Sequence, residues 1–122
     1  MLPKDKFDIQ AIEHFKTAPP SQVVPLLPEL LTWIQDMNWP VAEPTIELLM
    51  TYPTEITPLV EDVLLGDDDM WKYWCLQRIV PNLPFYSKMV LANAVEQIAQ
   101  SVNPRDADLV KLAKSVLLSF ES

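Results

Sequence analysis

The segment QDMNWPVAEP, residues 35–44, sets a tryptophan between an asparagine and a proline, with an acid just before them and two prolines four residues apart. It is either a recognition site or the place where one helix stops and the next begins. Its flanks favour the second reading. Upstream, Val23, Leu27, Leu30, Leu31 and Ile34 recur at helical spacing, with Pro25 and Pro28 confining the regular part to roughly Leu26 onward. Downstream, Ile46, Leu49, Met50 and Pro53 bound another helix. Pro44 has no N–H to give to the carbonyl of Pro40, so a kink or a late start is expected there.

The same reading extends in both directions. Asp8 can cap a first helix whose apolar edge is Ile9, Ile12 and Phe15, with Phe7 and Ile12 placed for a hydrophobic staple, and TAPPSQ ends it. Ile56, Leu59, Val60, Val63 and Leu64 form an amphipathic stripe, with Glu55, Glu61 and Asp62 on its other side. In GDDD, residues 66–69, glycine closes one helix and an aspartate caps the next. MWKYWCLQRIV is apolar on most sides and is expected to be the most buried helix. Leu91, Ala94, Val95, Ile98 and Val102 make a further stripe, Asn103-Pro104 marks a restart, and Val110, Ala113, Val116, Leu117 and Phe120 make the last.

Composition points the same way. The 122 residues include one glycine and twelve prolines. Strand-rich folds need glycine in turns and bulges, whereas proline costs little in a helix's first turn, where its missing N–H had no partner anyway. The expectation is an all-α chain of about seven to eight short helices forming a single unit over 1–122.

A self-similarity refines this. Shifted by about 32 positions, a period typical of helical solenoids, the chain overlays on itself. PLLPELL at 25–31 falls on PLVEDVL at 58–64, DMNW at 36–39 on DDMW at 68–71, and ELLMTYP at 47–53 roughly on IVPNLP at 79–84. Each unit reads helix, acidic turn with tryptophan, helix, proline. Such a unit cannot bury its own apolar faces, but stacked neighbours can. The arrangement resembles a short HEAT-like α-α superhelix. The stretches LPKDKFD, LLTWIQDMNWPVAEP and DDMWKYWCL also resemble an uncharacterised bacterial family known as domain of unknown function 5071, over most of the chain up to about IVPNLP. That resemblance supports the fold and brings no catalytic residues with it.

Reactive side chains are scarce. His14 and Cys75 are the sole histidine and cysteine, too few for a structural zinc site of about four such ligands. His14 reads as an exposed helical residue and Cys75 as a small buried thiol. No glycine-rich loop is present to cradle phosphate. Asp67, Asp68 and Asp69 lack the alternation, glycine and glutamate of a calcium loop and read as caps. No cofactor is expected. The charged start Met1–Asp8 has no apolar run behind it, no stretch is long enough for a membrane span, and one cysteine fits a reducing compartment, so the expected location is the cytoplasm.

Charge is the informative feature. The net charge is −8, and residues 17–71 contain ten acids and no lysine or arginine. Such a surface repels nucleic-acid backbones and steers a basic partner. Within it, Asp36, Asn38, Trp39, Glu43, Asp68, Asp69 and Trp71 are the candidate partner-binding residues, because each tryptophan stands beside acids in an equivalent turn and tryptophan commonly anchors interfaces. The expected function is a non-catalytic protein–protein interaction module with a basic protein partner. An immunity protein neutralising a basic toxin, and an enzyme using carboxylates such as Asp36 and Asp68, are the alternatives.

Overall fold

A computed structural model describes residues 2–120, leaving Met1, Glu121 and Ser122 of the expected unit outside the described residues, and every regular element in it is helical. Eight α-helices run in order: α1 (Ile9–Thr17), α2 (Pro20–Val23), α3 (Leu27–Leu31), α4 (Ala42–Leu49), α5 (Pro53–Leu64), α6 (Asp69–Trp74), α7 (Phe85–Ala99) and α8 (Ala107–Ser119). Short 3-10 turns extend several of them, Thr32–Ile34 after α3 and Pro104–Asp106 before α8, while a π turn, Cys75–Ile79, continues α6.

Prolines start these rods as the sequence implies. Pro20, Pro28 and Pro53 all stand in a first turn, and Pro81 and Pro104 open 3-10 turns. The tight hydrogen bond from Ala42 N to Trp39 O precedes the first α-type bond, Thr45 N to Val41 O, so α4 does begin late, beyond Pro40. Asp8, Asp68 and Asn103 cap with their side chains, accepting from Ala11 N, Trp71 N and Arg105 N.

Gly66 follows the last residues of α5 and closes that helix, as the sequence implies, on an ordinary backbone conformation. Gly66 does not adopt a left-handed conformation, and no described residue has positive φ. Its N–H instead returns to the Val63 carbonyl at 3.1 Å. Hydroxyls do similar work elsewhere: Thr17, Thr32, Thr51 and Ser119 each donate to the carbonyl three residues back, occupying acceptors that a helix end leaves free.

Three helix pairs follow one another. α3 with its 3-10 turn packs on α4, α5 meets α6 and the π turn, and α7 packs along α8. Between pairs, α5 lies against both α3 and α7, and α8 against α6 and the π turn, while α1 covers α4. The buried side chains make one continuous cluster from Ile12 through Leu30, Leu49, Val60, Leu76 and Leu91 to Val116. At about 1.5–3 kcal/mol for each large aliphatic chain removed from water, this interior is the main stabilising term. A polar contact sits inside it. Thr57 Oγ1 donates to the Pro53 carbonyl at 2.7 Å and lies 2.8 Å from Ser87 Oγ, pairing the hydroxyls of α5 and α7 where both residues are buried.

Four expectations are corrected. Phe7 is 65% exposed, so it forms no staple over Ile12. Val102 is 96% exposed because α7 stops at Ala99 and the chain has already left the helix. In α8, Leu109 rather than Val110 takes the buried position beside Ala113 and Val116. MWKYWCLQRIV is not uniformly buried: α6 holds no fully buried residue, whereas Cys75, Leu76, Ile79 and Val80 in and after the π turn are at 0% exposure. The wider π turn re-aims the chain partway, so its two halves present different faces to the core.

Candidate functional site

The tryptophan turns come first, since the sequence singles them out. In the first, the Asp36 carboxylate accepts from Asn38 N at 2.8 Å, and Trp39 N donates to the Asp36 carbonyl at 3.1 Å. Asp36 thus fixes the turn locally, a short-range competition with helix that aspartate performs well. Trp39 is half-buried and meets Trp33 edge-on, with ring centroids 5.8 Å apart. Glu43, one turn on, pairs with Arg78 beyond the π turn's start.

In the second turn, Asp68 Oδ1 accepts from Trp71 N at 3.0 Å. The Trp71 indole reaches across to α3, where its Nε1–H donates to the Leu31 carbonyl at 3.2 Å. Asp69 pairs with Lys72 at 3.7 Å. The seven candidate residues therefore do not form one site. Asp36, Asn38 and Trp39 build one turn, Glu43 is tied to Arg78, Asp69 turns toward α8, and Asp68 with Trp71 faces α3 and α5.

That last pair lines a cleft of about 260 Å³ between α3, α5 and α6. Pro28, Leu31, Leu59 and Val63 supply its apolar surface, and Asp62, Asp67 and Asp68 are its acids. Its polarity suggests the far side of α5 for Asp62, yet it lines this cleft. The signal that places it here is positional: Leu59, Asp62, Val63 and Gly66 are spaced three, one and three apart and share one edge of the helix and its end. A wider cleft, about 720 Å³, lies between α6 and α8 and mixes Asp69 and Asp108 with Arg105 and Lys111.

Neither reactive residue is placed for catalysis in these clefts. His14 is exposed on α1, and Cys75 is wholly buried. Burial, helped by the charge of Asp68, pushes the Cys75 thiol far above its usual range and keeps it protonated. Among the described residues, no cluster of three or more His, Cys, Asp or Glu side chains could hold a metal ion.

Among the described residues every regular element is helical, which defines an all-α protein. The model of one family, described as Domain of unknown function (DUF5071), matches residues 1–117, and the chain belongs to that family. A comparison with curated proteins finds no match. No described helix is long and apolar enough to cross a membrane.

Proposed function

We propose that this chain is a short HEAT-like stack of helix pairs that binds a basic protein partner in the cytoplasm without catalysing a reaction. The observation that carries the reading is the charge distribution. Of the ten acids in residues 17–71, Glu43, Glu47 and Asp69 have a cationic partner within the chain. The other seven, Glu29, Asp36, Glu55, Glu61, Asp62, Asp67 and Asp68, have no cation against them among the described residues. A field of one sign raises the encounter rate with an opposite partner and repels like-charged surfaces. The pairing of α3 with α4, α5 with α6 and α7 with α8, each against the next, supports the stack, and stacks of this kind offer extended faces to partners. The buried free thiol is in keeping with a reducing compartment.

The test is binding to a purified basic protein recovered with the chain from its source cells. Affinity should fall steeply between about 50 and 300 mM salt, as screened association requires. It should also fall when Glu29, Glu55, Asp62 and Asp67 are together replaced by their amides. Salt-independent binding, or binding unchanged by the amide substitutions, overturns the reading.

A further inference from the structure

The cleft between α3, α5 and α6 has the composition of a receptor for one kind of side chain. Its walls are apolar, from Pro28, Leu31, Leu59 and Val63, and Trp71 closes one side. The indole is held in place by its hydrogen bond to Leu31, so the ring is positioned before anything enters. Three carboxylates, Asp62, Asp67 and Asp68, are exposed at its edge. Asp68 spends one oxygen on the α6 cap, while the side chains of Asp62 and Asp67 have no hydrogen bond or ion pair among the described residues. No lysine or arginine lines it.

Size narrows the occupant. At about 260 Å³ the cleft lies below the range of roughly 300–1,000 Å³ that holds most small molecules and cofactors. It suits a single long side chain. Charge narrows it further: three acids beside an indole favour a cation, through ion pairing at the edge and cation–π attraction to the ring. Arginine fits better than lysine, because its planar, weakly hydrated guanidinium stacks on aromatic rings and bonds carboxylates in two-point fashion along apolar walls. The wider cleft between α6 and α8 lacks this complementarity, since its two acids are matched by two cations.

We infer that this cleft captures an arginine side chain, flanked by apolar residues, on a protein partner. The inference rests on the acidic-surface reading above and gives that reading an address. Burial of the guanidinium stem against Leu59 and Val63 contributes to affinity, and the carboxylates of Asp62 and Asp67 select the charge.

The experiment uses the full chain and two fluorescein-labelled nonapeptides: one with a central arginine between leucines, the other with citrulline, the uncharged isostere, in its place. Anisotropy gives affinity, and the Trp71 indole N–H resonance reports occupancy of the cleft. The arginine peptide should bind at least tenfold tighter than the citrulline peptide and shift the Trp71 signal. Asp62→Asn with Asp67→Asn, at two exposed and unpartnered positions, should raise Kd about tenfold, from two ion pairs of ordinary surface strength. Glu55→Gln with Glu61→Gln removes the same charge from outside the cleft lining and should raise it less than threefold. Equal losses in the two double variants overturn the cleft and leave the acidic surface standing. An arginine peptide that binds no better than the citrulline peptide overturns the cleft. Absence of saturable binding at millimolar peptide overturns the cleft and leaves the wider reading to the protein-partner measurement.

Discussion

The indole N–H of Trp71 and the carbonyl of Leu31, forty positions apart in sequence, meet at 3.2 Å and join α6 to the end of α3. This ties the second tryptophan turn to the helix that precedes the first. Trp71→Phe keeps most of the ring and removes the donor, leaving a part-buried carbonyl without it. Stability in urea should fall by about 1–2 kcal/mol, within the usual range for an orphaned acceptor. A midpoint unchanged within error would mean that the bond is replaced by water at no cost.

Trp39 tests the other turn. Its ring is half-buried and edge-on to Trp33, so Trp39→Ala forfeits part of a buried aromatic's contribution together with the pairing. A loss of about 2 kcal/mol is expected, below the 3–5 kcal/mol typical of a fully buried ring. Chemical denaturation measures it directly.

The Thr57–Ser87 pair calls for a double-mutant cycle. Thr57→Val leaves a buried serine hydroxyl unpaired and should cost about 1–3 kcal/mol. Adding Ser87→Ala removes the stranded group and should recover much of that loss. Strict additivity of the two single effects would show that the hydroxyls are not coupled.

Lys16 supplies a pH dependence. The Glu47 carboxylate at 2.5 Å raises its pKa, burial opposes this, and Glu13 at 3.2 Å adds to the rise. Since the folded value lies above the unfolded one, the stabilisation is complete below the unfolded lysine value near 10.5. It is lost as pH rises through the folded value. For so exposed a pair the amount is under about 1 kcal/mol. The difference in melting temperature between the native chain and Glu47→Gln should therefore hold up to about pH 10 and shrink as the pH rises beyond the unfolded lysine value near 10.5.

Cys75 should resist iodoacetamide in the folded chain at pH 8 and react within minutes in denaturant, as intact-mass measurement would show. Burial keeps the thiol both protonated and out of reach. Prompt alkylation of the native chain would contradict the packing of the π turn.

Much of the helical order was legible because local chemistry specified it. Asp8, Asp68 and Asn103 announce helix starts through short-range side-chain bonds, and these positions hold. Ends were harder to read. Val102 continues the spacing of Leu91, Val95 and Ile98, yet α7 has stopped three residues earlier, at Ala99. Apolar periodicity does not register where the chain departs from the helix axis. The π turn is likewise silent in sequence, since one wider loop of backbone leaves no residue signature. The candidate site was half legible. Tryptophan beside acids pointed to Asp68 and Trp71, but Leu31, Leu59 and Asp62 join them through packing between α3, α5 and α6, a long-range relation that neighbouring residues do not encode.

The backbone turns every described corner on right-handed or extended geometry, with its one glycine in an ordinary conformation. Nothing in those corners relies on the extra freedom that glycine brings to a denatured chain, and twelve pyrrolidine rings restrict that chain further. The disordered ensemble therefore has fewer shapes to surrender when it orders. Part of what favours the native molecule acts on the state it leaves rather than on the contacts it forms.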